Sequence, residues 1–316
     1  MTVSSGRSLT NDEILGYVDD LSNWGRWGTT DTRGTLNFVT DDTTAAAGRL
    51  IASGRSVGLA RPLSIRPTGS KRGPHYFHVM TGSGELAPAE GAGVARDWFG
   101  VGCHGFECTH LDAHSHIFWN GKMYNDRDAS DCSIEGGAAS GGIEPWGDGL
   151  ATRGVLVDGP EIRGKACLDP GEGLYPEELD QWYDDKGITR RSGDLLFVRT
   201  GRDRWGEGGV AKPETVHESP GLHGSCLPWL SQREVAVLAG DGTNDALPSG
   251  ASVLDVYGPI HVVGLVAMGL WLVDNAELGE LSRVCAEAGR YEFFTTIAPL
   301  RLRRATGCPV NPIAIF

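Results

Sequence analysis

Residues 109–116 read Thr109-His110-Leu111-Asp112-Ala113-His114-Ser115-His116. Positions 104 to 116 hold four of the chain's nine histidines, together with one aspartate and one glutamate. We predict extended structure from Val101 to about Ala113, in which side chains two positions apart share a face. His110 and Asp112 then point the same way, and an imidazole beside a carboxylate suits a divalent metal. The alternative is a surface cluster of histidines that binds no ligand.

A second histidine and a second acid stand at the two ends of an apolar run far along the chain. His261 precedes the run from Val262 to Val273, and Asp274 follows it. A titratable group at the boundary of a buried stretch is costly unless it is paired or ligating. His261 and Asp274 are therefore predicted to complete the metal site that the first segment begins. A hydrogen-bonded core histidine is the alternative for His261.

Charge and composition exclude several classes of partner. The chain carries 41 acidic and 28 basic residues, a formal net charge of −13, whereas nucleic-acid binding relies on Lys and Arg to neutralise phosphates. The apolar run at 262–273 is much shorter than a membrane span of ~20 residues, and the N-terminus lacks the apolar stretch of a secretory signal. The seven cysteines include no C-x-x-C pair, which favours reduced, mostly buried thiols in a cytoplasmic protein. We expect a small-molecule substrate, no nucleic acid and no membrane.

Short predicted strands alternate with predicted helices, which is typical of a mixed α/β domain. A capping box at Thr10–Glu13 predicts the start of the first helix. Further predicted helices are 43–53, 176–186, 227–232 and a buried helix at 261–268, and predicted strands are 57–65, 154–158, 194–200, 235–239 and 291–302. No internal repeat or Pro/Ser-rich linker divides the sequence. We therefore predict one domain over residues 1–316, with residues 1–55 as a helical extension packed on it.

The first histidine segment resembles the motif of the cyclase-like metal-dependent hydrolases, the family that includes bacterial kynurenine formamidase and isatin hydrolase. That motif reads His-x-Gly-Thr-His-x-Asp-x-Pro-x-His, and Thr109, His110, Asp112 and His116 match it. The likeness to the longer, actinobacterial-type members continues in order along nearly the whole chain. It is carried by Arg26-Trp27-Gly28, Gly34-Thr35-Leu36-Asn37, Gly121-Lys122-Met123-Tyr124-Asn125, 194–201, Pro220-Gly221-Leu222, Gly240-Asp241, Asp274-Asn275, Pro299-Leu300-Arg301 and 307–312.

Three positions depart from the family motif. Phe106 stands in place of the first histidine, Cys108 in place of the glycine and His114 in place of the proline. A phenylalanine at 106 removes one ligand of the dinuclear members of the family, so we expect a single metal ion. His104 could supply the missing imidazole only if the strand were bulged there.

The resemblance implies a single-domain swivelling β/β/α fold with a mixed-sheet core, and one Mn or Zn ion. The ligands that it implies are His110, Asp112, His261 and Asp274. Glu277 is the alternative to Asp274 as the late carboxylate. His116 would be the general base or a further ligand, and His114 is the second catalytic candidate. Family members are commonly dimers or larger, so a homo-oligomer is expected.

The expected chemistry is hydrolysis of a cyclic or aryl amide, a lactam or a lactone. A divalent cation lowers the pKa of bound water to about 7 and polarises a carbonyl oxygen, and a nearby histidine can take and return the proton. The aromatic side chains predicted to line an apolar substrate pocket are Trp24, Trp27, Phe106, Phe118 and Trp119. Ordinary core packing is the alternative for each of them. The alternative functions are a metal-dependent lyase or isomerase and a non-catalytic metal-binding protein.

Overall fold

The computed structural model describes residues 9–63, 76–207, 213, 216–252, 254 and 257–316. The α-helices in these ranges are α1 Asn11–Asp20, α2 Asp41–Gly48, α3 Gly159–Arg163, α4 Pro176–Asp185, α5 Leu227–Gln232, α6 Pro259–His261 and α7 Gly279–Ala288, with a π-helix at Val262–Met268 directly after α6. Short 3-10 helices cover Gly34–Phe38, Gly84–Leu86, Tyr124–Asp126, Ala129–Asp131, Glu144–Trp146, Arg202–Arg204, Val216–Glu218 and Gly224–Cys226. The strands are β1 Ser56–Gly58, β2 Tyr76–Gly82, β3 Arg96–Val101, β4 His110–Asp112, β5 Lys122–Met123, β6 Arg127–Asp128, β7 Cys132–Ser133, β8 Gly137–Ala138, β9 Leu150–Asp158, β10 Gly173–Leu174, β11 Leu195–Arg199, β12 Gly221–Leu222, β13 Val237–Gly240, β14 Trp271–Asp274, β15 Glu292–Ile297, β16 Gly307–Pro309 and β17 Ile313–Ile315.

Nine of the described strands form one mixed sheet in the order β1-β17-β15-β9-β11-β13-β14-β4-β16. The four central strands β9, β11, β13 and β14 run parallel, and the strands on either side of them pair antiparallel. Parallel strands are usually covered on both faces and read as continuous apolar runs. Every residue of β11, β13 and β14 is buried accordingly.

The sheet brings the two predicted ligand segments side by side. β4 pairs antiparallel with β14, and His110 at the start of β4 lies opposite Asp274 at the end of β14. The side chains needed for a site therefore meet at the carboxyl edge of the parallel strands, where ligands commonly bind in sheets of this kind.

Local sequence signals predicted several helices correctly. Thr10 caps α1 with the reciprocal hydrogen bonds of a capping box, and Ile14 of this helix is fully buried. The boundaries of α5 match the predicted 227–232, and α4 ends one residue before the predicted 186. The helix predicted at 43–53 is displaced: α2 begins at Asp41, after the Thr40 cap, and ends at Gly48.

The predicted extended structure from Val101 to Ala113 is wrong for its central part. β3 ends at Val101, β4 begins at His110, and an irregular loop joins them. Gly105 in this loop has φ 113, a backbone conformation outside a strand. The strand predicted at 57–65 is also short, because β1 covers Ser56–Gly58; positions 64 and 65 lie outside the described residues.

One cluster of buried apolar side chains runs through the sheet and the segments that cover it. It includes Leu9, Ile14 and Leu36 from the N-terminal part and Phe316 at the C-terminal end.

All seven cysteines lie within the described residues and are free thiols, and five of them are buried. Among the described helices, none combines the length and the apolar character needed to cross a bilayer.

Candidate metal centre

The carboxylate of Asp112 lies at the centre of a cluster of imidazoles. It is fully buried on β4. The distances from its oxygens to ring nitrogens are 2.8 Å for Oδ1 to His104 Nδ1, 3.4 Å for Oδ1 to His110 Nε2, 3.9 Å for Oδ1 to His116 Nε2 and 3.7 Å for Oδ2 to His261 Nε2. Among the described residues no hydrogen-bond donor reaches Oδ2. A buried carboxylate oxygen with no partner is costly, and a cation at this position would satisfy it.

Asp274 adds a second carboxylate to the cluster. Its Oδ2 lies 3.5 Å from His261 Nε2, and its Oδ1 accepts a hydrogen bond of 2.6 Å from the Asn244 amide. The donor atoms of His110, Asp112 and Asp274 all lie within 4.8 Å of one another. The structure thus brings together the four ligands predicted from the sequence.

Two of the histidines are fixed by hydrogen bonds on the side away from Asp112. His110 Nδ1 donates to the backbone oxygen of Cys108 at 2.8 Å, and His261 Nδ1 donates to Asp245 Oδ2 at 2.6 Å. These partners leave Nε2 of both rings facing the carboxylates, as outer hydrogen bonds do for metal-binding histidines. Sequence reasoning missed Asp245, although its position five residues after the buried strand β13 marks the same edge of the sheet.

His104 and His116 form a second group around Asp112. Donor atoms of His104, Asp112 and His116 also lie within 4.8 Å of one another, and the two rings stack at 3.8 Å with an interplanar angle of 1°. The loop between β3 and β4 therefore returns His104 to the centre although Phe106 stands in the motif position. The Phe106 ring lies 5.3 Å from the Arg202 guanidinium instead.

The stacked pair differs in its affinity for protons. Burial lowers the pKa of His104, but the hydrogen bonds to Asp112 and Cys103 and the charges of these two groups together raise that pKa to about 10. Burial dominates at His116 and lowers its pKa to about 4 despite the nearby Asp112. In the absence of a cation, His104 is the charged ring of the pair at neutral pH and His116 the neutral one.

The structure does not bring His114 into the cluster. Its Nε2 donates to the backbone oxygen of Gly269 at 3.0 Å, and its ring packs on Trp271 and Tyr124. Burial lowers its pKa to about 3, which keeps the ring neutral. Side chains two positions apart share a face only within a strand, and β4 ends at Asp112. His114 follows the strand, so its ring packs in the core and not beside His110 and Asp112.

Glu277, the alternative late carboxylate, also lies elsewhere. Its Oε2 forms an ion pair of 3.0 Å with Arg61 Nη1, and its Oε1 accepts from the backbone of Gly279. Asp274, and not Glu277, is the acid whose carboxylate lies close to the potential metal-binding atoms of His110 and Asp112.

The five aromatic residues predicted for the pocket have separate surroundings. Trp24 Nε1 donates to the backbone oxygen of Val266 at 2.7 Å. The side chains of Trp24 and Trp119 both pack against the buried core. Trp27 meets Phe38 edge to face. The side chain of Phe118 is exposed, and Phe106 lies beside Arg202 as described above.

Comparisons with known proteins identify the family and the fold of this chain. Residues 73–244, more than half of the chain, match the model of the cyclase family, described as "Putative cyclase". A crystal structure described as a novel cyclase superposes with a TM-score of 0.82 at 28% identity, covering 95% of this chain and 99% of the other. No curated protein matches the sequence.

Two isatin hydrolases share the fold at lower identity. One, bound to the product analogue thioisatinate, gives a TM-score of 0.55 at 17% identity over 87% of this chain and 98% of that chain. Isatin hydrolase A from Ralstonia solanacearum gives 0.53 at 19% identity over 87% and 97%. The predicted cyclase-like α/β fold is confirmed, and the chain belongs to the cyclase family.

Proposed function

We propose that this protein is a metal-dependent hydrolase that opens a cyclic or aryl amide, a lactam or a lactone. The observation that carries the proposal is the buried Oδ2 of Asp112, which no hydrogen-bond donor of the described residues reaches although four imidazoles surround the carboxylate. The shared fold with proteins described as isatin hydrolases supports the same chemistry.

The residues present fit one divalent cation. His110, Asp112, His261 and Asp274 offer two imidazole nitrogens and two carboxylates, a donor set that suits Mn or Zn. When bound, such an ion lowers the pKa of water and polarises a carbonyl oxygen. Asp245 and the Cys108 carbonyl hold the two imidazoles so that Nε2 faces the carboxylates.

His116 is the residue that we propose for proton transfer. About a quarter of its side chain is exposed, whereas His110, Asp112 and His261 are almost fully buried. It therefore lies where a substrate could approach, and the lowered pKa keeps its ring neutral at neutral pH. His104, stacked against it, holds Asp112 through the hydrogen bond at 2.8 Å.

The function is tested on the purified full chain by metal analysis and by activity on a panel of amides, lactams, lactones and esters. We expect bound Mn or Zn, turnover that a chelator abolishes and re-addition restores, and incorporation of labelled solvent oxygen into the product. Asp112→Asn keeps the shape of the side chain and is expected to abolish both metal binding and turnover. Turnover without oxygen incorporation would indicate a lyase or isomerase, and a metal-loaded protein inactive on the whole panel would contradict a hydrolase.

We also propose that the chain assembles as a homo-oligomer through the hairpin of β2 and β3. One face of this hairpin exposes Phe77, Val79 and Trp98, and a large exposed apolar patch often marks a protein contact. Light scattering is expected to give a multiple of the 33.7 kDa chain mass. A mass of one chain would contradict this assembly and leave the metal centre unaffected.

A further inference from the structure

The loop between β3 and β4 is held by one side chain from the other ligand segment. Asn275 directly follows Asp274, is fully buried and has φ 60. Its amide nitrogen donates to the backbone oxygens of Gly105 at 2.5 Å and Cys108 at 3.1 Å. Its own backbone oxygen accepts a hydrogen bond of 2.6 Å from the Thr109 hydroxyl. Three contacts of this one residue therefore lie along the segment that joins His104 to His110.

Arg202 determines which way the Asn275 amide faces. Its guanidinium donates to Asn275 Oδ1 and, at 2.5 Å, to the backbone oxygen of Phe106. The carboxylate of Asp241 in turn accepts hydrogen bonds from the backbone nitrogens of Thr200, Gly201 and Arg202. Because Oδ1 is occupied by a guanidinium, the amide nitrogen is the end that faces the loop carbonyls.

The Cys108 carbonyl connects this network to the metal centre. It accepts from Asn275 Nδ2 and from His110 Nδ1, the latter at 2.8 Å. Because the carbonyl accepts a hydrogen bond from Nδ1, that nitrogen carries the proton of the neutral ring. Nε2 of His110, beside Asp112, is then unprotonated and can bind a cation. If the carbonyl were displaced, His110 would lose the contact that fixes both its tautomer and its ring orientation.

We propose that Asn275 is a positioning residue of the metal centre: through the Cys108 carbonyl it fixes the His110 tautomer that presents Nε2 to the cation. The inference rests on the proposed metal centre. It assigns a role to a residue that neither touches the cation nor carries charge.

The experiment compares Asn275→Gly with the matched variant Asn125→Gly. Asn125 also has φ 63, and its amide nitrogen also donates to two backbone oxygens, those of Gly28 and Asp31. Glycine tolerates this backbone conformation, so neither substitution strains the chain. The affinity for Mn²⁺ is measured by titration of the metal-free full chain. The ring-nitrogen NMR shifts of His110 in isotope-labelled metal-free protein report its tautomer, with His110→Gln for assignment.

We expect Asn275→Gly to bind Mn²⁺ about 10-fold or more weakly than wild type, the range seen when outer hydrogen bonds of metal ligands are lost. It should also show mixed tautomers of His110. Asn125→Gly should match wild type in both measurements. Unchanged Mn²⁺ affinity and an unchanged Nδ1-protonated ring in Asn275→Gly would overturn the inference. If wild type itself bound no Mn²⁺ or Zn²⁺, the proposed function would fail, and the tautomer in metal-free protein would still decide the role of Asn275.

A second variant covers the case in which Asn275→Gly does not fold. Asn275→Asp preserves the shape of the side chain and the Oδ1 that accepts from Arg202. It removes the Nδ2 hydrogens that donate to the carbonyls of Gly105 and Cys108. It is compared with Asn125→Asp, and the His110 tautomer is the deciding readout because the added charge itself attracts cations. Retention of a single Nδ1-protonated form in Asn275→Asp would contradict the inference.

Discussion

Asp274 and Glu277 are both acids near the end of β14, and their surroundings assign them different tasks. Asp274 faces His261 at 3.5 Å, whereas Glu277 is paired with Arg61 at 3.0 Å. We expect Asp274→Asn to lower metal affinity by more than the roughly 10- to 100-fold typical of outer-shell changes, because it removes a charged ligand. Glu277→Gln is the matched control and should retain metal. Titration with Zn²⁺ measures both, and metal loss in Glu277→Gln alone would reverse the assignment.

His116 and His114 are separated by one residue but lie in different environments. We expect His116→Gln to retain metal and to lose turnover by about 100- to 10,000-fold, the usual contribution of a positioned acid or base. Loss of metal in this variant would make His116 a ligand instead.

His114→Gln tests the other catalytic candidate. Since the ring of His114 is packed against Trp271 and bonded to the Gly269 carbonyl, we expect a loss of about 1–3 kcal/mol in the free energy of unfolding. Turnover per folded molecule should be close to wild type. Chemical denaturation and metal-saturated kinetics measure the two quantities, and a loss of turnover in a stable protein would restore His114 to the reaction.

Sequence reasoning reached most of the donor residues but not all of them. His110 and Asp112 followed from the alternation of side chains along a strand, and His261 and Asp274 from their place at the ends of a buried run and from the family likeness. His104 and Asp245 depend on where an irregular loop and the end of β13 are placed in space. A position just beyond a buried strand marks the edge of the sheet, but which side chains meet there depends on the strand order.

At the level of secondary structure, the turn before α6 controls the orientation of His261. Gly258 has φ 87, and a Cβ there would lie 2.2 Å from the Asp245 carboxyl carbon. Asp245 accepts from the backbone of Ile260 and from the His261 ring. We expect Gly258→Ala to displace this carboxylate and to lower metal affinity as well as stability.

Gly289→Ala is the control for backbone strain. Gly289 ends α7 with φ 60, and a Cβ there meets nothing within 4 Å. We expect it to lower the free energy of unfolding by about 1 kcal/mol with no change in metal affinity. Equal metal affinity in Gly258→Ala and Gly289→Ala would contradict a role for the Gly258 turn in the centre.

Elements with strong local signals were predicted well, and those held by distant residues were not. The capping box at Thr10 and the apolar pattern of α5 are self-contained. The loop from 102 to 109 was predicted as strand because its composition disfavours helix. Its carbonyls are instead bonded by Asn275 and Arg202, which lie far along the chain, so the deviation from a strand could not be seen locally.

At the scale of the whole molecule, the sheet joins two ligand segments that are distant in sequence. β4 is inserted antiparallel between β14 and β16, so its His110 lies opposite Asp274, the last residue of the parallel strand β14. The mixed α/β class was predictable from the alternation of elements, and the cyclase-family match confirms it. The strand order was not predictable, because pairing between β4 and β14 depends on contacts across more than half of the chain.

The most direct test of the metal centre is a crystal structure of the protein soaked with Mn²⁺, with anomalous diffraction used to locate the ion. We expect an anomalous peak at about 2.0–2.3 Å from Asp112 Oδ2, with His110, His261 and Asp274 as its other protein neighbours. A fully soaked crystal with no peak beside Asp112, or with its peak only at another cluster of residues, would contradict the account.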